Sequence, residues 1–234
     1  MIDRVGLFVT CLADTLYPGV GRATVAVLER LGIEVVFPAA QTCCGQLHLN
    51  SGYPAEAGSL AARFVDVFDP FEAVVSPSAS CVALVRREYP ELLAGADRGV
   101  PARTWELSEF LVDVLGITDV GASFAGRVAY HPTCHSLRLL RLGEAPVRLL
   151  RAVEGLELVP LPEAEECCGF GGTFAVKNAD VSAAMLAEKV ANVTASEAEA
   201  LCACDASCLM QIGGGLRRAG ATARPLHLAE ILAG

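Results

Sequence analysis

The sequence sets cysteines in one pattern twice: Cys11, then Cys43-Cys44-Gly45, then Cys81, and again Cys134, then Cys167-Cys168-Gly169, then Cys208. Thiolates are the protein ligands of iron-sulfur clusters and of structural zinc, and four per half is the usual complement for either. Zinc sites typically take close pairs such as Cys-x-x-Cys, which neither half provides. Adjacent cysteines suit a polynuclear cluster better, because neighbouring sulfurs point different ways and reach different metal atoms. Gly45 and Gly169 let the backbone bend closely around such a core. The spacing therefore favours an iron-sulfur cluster in each half, with zinc as its rival.

The elements around these cysteines repeat as well. Arg4 to Thr10 is an apolar, β-branched run that predicts a strand leading into Cys11. A helical pattern follows over Val20 to Leu31, stopped by Gly32, and Ile33 to Phe37 reads as the next strand. A helix over Glu56 to Phe68, a strand at Ala73 to Ser76, a helix from near Cys81 and a closing helix over Trp105 to Leu115 complete the half. The order then restarts, with strands at Arg127 to Tyr130, Leu156 to Val159 and Ala200 to Ala203 and a closing segment Leu226 to Leu232. Glu109 aligns with Glu230, and Glu106 with His227. The expected architecture is α/β: two tandem homologous Rossmann-like units, residues 1–120 and 121–234, with parallel sheets and helical crossovers. Each aligned cysteine follows a strand, at the carboxyl edge where open α/β sheets bind ligands.

Composition limits the alternatives. Hydrophobic residues make up 53% of the chain and charged residues 19%, enough apolar material for a packed core. A net charge of -9, without long runs of either sign, argues against a nucleic-acid partner. The first ten residues are too short an apolar run for a signal peptide, and no stretch is long enough for a membrane span, so a cytoplasmic protein is expected. Ten cysteines in a reducing compartment point to metal or redox chemistry rather than disulfides. No Ser-His-Asp order, paired-carboxylate pocket or dinucleotide fingerprint is visible, which disfavours a hydrolase or a nicotinamide enzyme.

Other residues beside the motif are candidates for tuning a cofactor. His131 and His135 flank Cys134, and either can hydrogen-bond a cluster sulfur; His48 stands close after the first Cys-Cys-Gly. Gly169, Gly171 and Gly172 free backbone amides to face an anion or sulfur, with Lys177 and Asn178 expected at the opening. Cys202 reads as a core residue, whereas Cys204 is placed to supply a further thiolate in the second half.

The segments CLADTLYP, CCGQLHLNSGY, SPSASCVALV, YHPTCHSLR, ECCGFGGTFAVKN and CLMQIGGG resemble the cysteine-rich Cys-Cys-Gly domain family, which includes the Cys-Cys-Gly subunit of heterodisulfide reductase and the iron-sulfur subunit of glycolate oxidase. The likeness spans nearly the whole chain and is greatest to the short two-unit branch concerned with lactate utilization. It implies that Cys11, Cys43, Cys44 and Cys81 hold one iron-sulfur cluster and Cys134, Cys167, Cys168 and Cys208 another, each of the four-iron type. In the fuller family motif a further cysteine precedes the last one. Here Ser78 and Asp205 stand in its place, so ordinary four-thiolate clusters are expected rather than disulfide-cleaving ones.

The resemblance further implies an iron-sulfur electron-transfer subunit of an L-lactate-oxidising complex, an oxidoreductase component that is incomplete alone. Its partners would be other subunits, a ferredoxin-like iron-sulfur protein and a third small one. A subunit of a glycolate oxidase or heterodisulfide-reductase-like complex is the rival within the family. A zinc-stabilised, non-enzymatic interaction module is the rival outside it.

Overall fold

Short β-branched runs buried on both faces form parallel sheets only when helices cover both sides. The computed structural model, which describes residues 2–234, has two such sheets. In the first, β1 (Arg4–Leu7), β2 (Glu34–Val36), β3 (Val74–Ser76) and β4 (Thr104–Glu106) are ordered β2-β1-β3-β4. In the second, β5 (Ser123–Tyr130), β6 (Glu154–Val159), β7 (Ala200–Ala203) and β8 (Arg224–His227) are ordered β6-β5-β7-β8. Every pairing is parallel, and the registers correspond: Gly6 faces Val74 and Leu7 faces Val75, as Ala129 faces Leu201 and Tyr130 faces Cys202. The expected α/β architecture of two similar Rossmann-like units is thus present. Among the described residues no helix is long and apolar enough to cross a membrane.

Helices Pro18–Arg30, Pro54–Phe68 and Ala79–Leu92 connect the first sheet, and Ala145–Ala152, Ala179–Ala195 and Ala206–Ala219 the second. The first opens on proline, two residues before the expected Val20, and ends as predicted where Gly32 turns left-handed at φ 78°. The closing segments differ from expectation. Trp105 and Glu106, read as helical, belong to strand β4, and Leu226 and His227 to β8; the helices start two residues later than expected, at Leu107 and Leu228. Three-residue and four-residue edge strands carry too little period to be seen in sequence, and their last residues serve as helix caps. The Glu106 carboxylate accepts from the amides of Ser108 (2.7 Å) and Glu109 (3.3 Å). His227 Nδ1 accepts from the Ala229 amide (3.1 Å), and Glu230 returns a carboxylate to the His227 amide (2.9 Å).

Glu106 is fully buried, and desolvation pushes its carboxyl up to about 7 despite these bonds. A carboxyl raised above its ordinary range favours the fold while protonated and loses that contribution as pH rises through the folded value. Unfolding free energy should therefore fall between about pH 4.5 and 7 by on the order of 3 kcal/mol from this group. Glu106→Gln should flatten that part of the profile, as denaturant titrations at stepped pH will measure.

The two units interlock through their closing helices. Leu228–Ala233 packs on Pro18–Arg30 of the first unit, while Leu107–Glu109 and the π-helical turn Phe110–Val114 pack on Ala145–Ala152 of the second. One hydrophobic core therefore runs through both, joining Val27, Leu28, Phe110 and Leu111 to Leu149, Leu150, Ile231 and Leu232. Arg30 fastens the exchange by donating to the carbonyls of Val120 (3.2 Å), Leu232 (3.0 Å) and Ala233 (2.6 Å). This exchange turns the carboxyl edges of the two sheets toward each other.

Candidate metal centre

Each sheet delivers its cysteines from the same three places. Cys11 opens helix Cys11–Leu16 after β1, Cys43 and Cys44 lie on the loop after β2, and Cys81 is in the first turn of Ala79–Leu92 after β3. Cys134 immediately precedes the π-helix His135–Leu140 after β5, Cys167 and Cys168 follow β6, and Cys208 is in the first turn of Ala206–Ala219 after β7. A single cleft between the units is lined by all eight. The sequence does not foretell this: the two sets face one shared space.

Within a unit the sulfurs touch. Cys11 Sγ lies 3.5 Å from Cys43 Sγ, and Cys44 Sγ 3.2 Å from Cys81 Sγ; Cys134 meets Cys167 and Cys168 meets Cys208 in the same way. The amides of Gly45 and Gly169 each donate to the first sulfur of their pair at 3.4 Å. Hydrogen bonds from Cys11 and Cys134, and then from the adjacent cysteines, hold the Cys43 and Cys167 thiols well below the usual thiol range. Bonding within the same chain of sulfurs, with burial, raises Cys44 and Cys168. Four converging soft donors with amides turned to sulfur fit an iron-sulfur cluster in each unit.

The loops are held from behind. In the first unit Tyr89 donates its hydroxyl to the Cys44 carbonyl (2.8 Å) from an aromatic cluster with Phe8, Phe64 and Phe68. Gly45 (φ 87°) and Gly169 (φ 81°) are left-handed. A Cβ on Gly169 would lie 2.7 Å from the Ser182 carbonyl oxygen, whereas one on Gly45 would meet Ala57 Cα at 3.3 Å. Gly169→Ala is accordingly expected to cost about 2 kcal/mol or more, from left-handed strain plus the clash. Gly45→Ala should cost less, and thermal melts of the two variants will rank them.

The floor of the cleft is polar and crosses between units. Asp205 is fully buried and accepts from Ser78 Oγ (3.0 Å), Ser80 Oγ (2.8 Å) and the Ser80 amide (2.8 Å). It caps the start of helix Ala79–Leu92 in the other unit instead of its own helix, and burial raises its carboxyl above the usual range. The Ala79 amide also donates to the Cys204 carbonyl (3.3 Å). Along the sequence Ser78 and Asp205 read only as missing thiolates. The one available signal of their pairing is that they occupy equivalent repeat positions.

Several candidates separate in space. His135 lines the cleft with its Nε2 3.2 Å from the Gln46 amide nitrogen, and Gly171 and Gly172 form part of the wall. His131 lies beneath it, fully buried, with burial lowering it to about 4. His48 is exposed on helix Gln46–Asn50 and outside the lining. Lys177 and Asn178 do not guard the opening: the short helix Phe174–Lys177 turns them to the exterior, and Phe170, Gly171 and Gly172 take that wall. Cys202 and Cys204 are buried in the shared apolar core, where Tyr130 Oη is 3.5 Å from Cys204 Sγ, so Cys204 does not reach the cleft.

A parallel α/β protein of two like units, with thiols gathered where their sheets meet, defines the class. The chain belongs to the cysteine-rich domain family (CCG), whose model matches residues 5–86 and again 128–213. Among curated relatives it is 49% identical over 235 residues to "Lactate utilization protein A" of Geobacillus kaustophilus, covering 98% of each chain. It is 50% identical over 239 residues to the protein of that name in an Exiguobacterium species, covering 99% of this chain and 97% of the relative. A solved glutamate racemase of Bacillus anthracis superposes at a TM-score of 0.39 with 10% identity over 99% of this chain and 79% of its own, a likeness too slight to bear on function.

Proposed function

We propose that this chain is an iron-sulfur electron-transfer component of a multi-protein system that oxidises L-lactate, with one four-iron cluster in each unit, residues 1–120 and 121–234. The observation that carries the reading is the convergence of eight cysteines on one cleft in two touching sets of four. The names of the relatives supply the lactate system. Cys11, Cys43, Cys44 and Cys81 would hold one cluster and Cys134, Cys167, Cys168 and Cys208 the other; when bound, each accepts and releases single electrons. The residues around them do the rest. Gly45 and Gly169 amides stabilise thiolate charge, the aromatic cluster excludes water from the first site, and Asp205 with Ser78 and Ser80 holds the facing edges at fixed separation. A ferredoxin-like iron-sulfur protein and a third small subunit are the partners proposed, in the cytoplasm.

Anaerobic purification tests this directly. A brown protein with broad visible absorption and about eight irons per chain is expected for two four-iron clusters. A colourless, zinc-loaded protein would overturn the reading, and normal growth on lactate after deletion of the gene would overturn its place in lactate oxidation.

A further inference from the structure

The two units part company at one buried place beside the cysteines. The amide of Phe8 bonds to the Val75 carbonyl (2.9 Å) and that of His131 to the Cys202 carbonyl (2.8 Å), so these residues hold equivalent positions. Ala57 and Ser182 likewise abut Gly45 and Gly169, and one helical stretch further on stand Phe64 and Lys189. The first unit fills this place with an edge-to-face pair, the rings of Phe8 and Phe64 4.9 Å apart. The second fills it with an imidazole and an ammonium-bearing chain, both fully buried. Polar groups in such a position are costly unless each finds a partner.

Lys189 finds two, donating from Nζ to the carbonyls of Glu163 (2.6 Å) and Ala164 (3.2 Å). His131 Nδ1 lies 3.2 Å from the same Ala164 oxygen. A carbonyl only accepts, so Nδ1 carries the ring proton in that bond and Nε2 presents a lone pair. Nε2 is buried and has no hydrogen-bond partner among the described residues. A ring nitrogen of His131 forms, with Cys168 Sγ and Cys208 Sγ, a group of three metal-ligating atoms all within 4.8 Å of one another, and with Nδ1 engaged on Ala164 the nitrogen left to serve them is Nε2. Once deprotonated to bind a metal the two sulfurs have no hydrogen to offer that lone pair, and a metal between them satisfies all three. A carbonyl on the far nitrogen is also how ligating histidines are commonly oriented.

We propose that His131, through Nε2, ligates iron of the cluster held by Cys134, Cys167, Cys168 and Cys208, on the side of Cys168 and Cys208, making the second site a mixed imidazole-thiolate centre and the first an all-thiolate one. The assignment rests on the cluster reading above. Ala164, braced by Lys189, positions the ring. At the iron it reaches, a neutral imidazole leaves the metal more electron-poor than a thiolate in the same place would, so exchanging the ring for a thiolate lowers that site's reduction potential.

The test uses the anaerobically prepared full chain with natural and ¹⁵N-histidine, examined by pulsed EPR after reduction. Expected is a strong hyperfine coupling from a metal-bound nitrogen that changes on labelling. His131→Cys, which supplies a thiolate instead, should keep the iron, lose that coupling and move one of the two reduction potentials downward while the other stays. Iron present in the wild type without a strongly coupled histidine nitrogen overturns the inference and leaves the cluster reading intact. A wild type without iron overturns both. The labelled wild type decides the question even where the variant fails to fold.

Discussion

Cys168→Ser is expected to bring the iron retained per chain down to about half, with loss confined to the second unit. Cys168 is the most enclosed sulfur of its set, 2% exposed and in contact with both Cys167 and Cys208. A serine hydroxyl holds its proton far more firmly than a thiol and is a harder donor, so it neither supplies the anion nor suits iron in a sulfur core. Its partners would be left as a buried, partly ionised group without a metal. Cys44, also 2% exposed and in contact with Cys81, should behave as its counterpart and cost the first unit its cluster. Iron analysis with visible absorption on both variants checks this. Full iron in both would refute the ligand assignment.

Asp205→Ala is expected to be the most destabilising single change on the floor of the cleft, by about 3 kcal/mol or more. The carboxylate satisfies three buried donors on the other unit, the hydroxyls of Ser78 and Ser80 and the Ser80 amide. Alanine removes the acceptor of all three; the two hydroxyls then have each other at 3.3 Å for one bond, and each buried donor left unsatisfied costs about 1–3 kcal/mol. Water entering the space recovers part of this, which is why the lower sum is the better guide. Asp205→Asn keeps one acceptor oxygen but turns an amide NH₂ toward a donor, so it should lie between. Denaturant midpoints of the three proteins give the order, and an Asp205→Ala midpoint equal to wild type would show that the bridge holds nothing together.

How much of the molecule is legible from the residues in line depends on the range of each signal. The cysteine pattern, the twofold repeat and the central strands β1, β3, β5 and β7 are readable because each rests on local signals: a motif, an apolar run, a glycine stop. The edge strands β4 and β8 are not, since Trp105 and Leu226 sit in stretches whose spacing equally suits a helix start. Lys177 is misplaced because its motif neighbourhood gives no hint that a short helix turns it outward.

That eight thiols come in two like sets at strand ends is written along the chain, because strand order and crossover length put them there in each unit separately. Folding adds that both sets open on one cleft, that Asp205 serves the other unit's helix, and that His131 and Lys189 replace Phe8 and Phe64 beside one set alone. The physical reason is the exchange of closing helices into a common core. It brings together residues as far apart as Ser80 and Asp205, separated by 125 positions, a relation that no local pattern along the chain encodes.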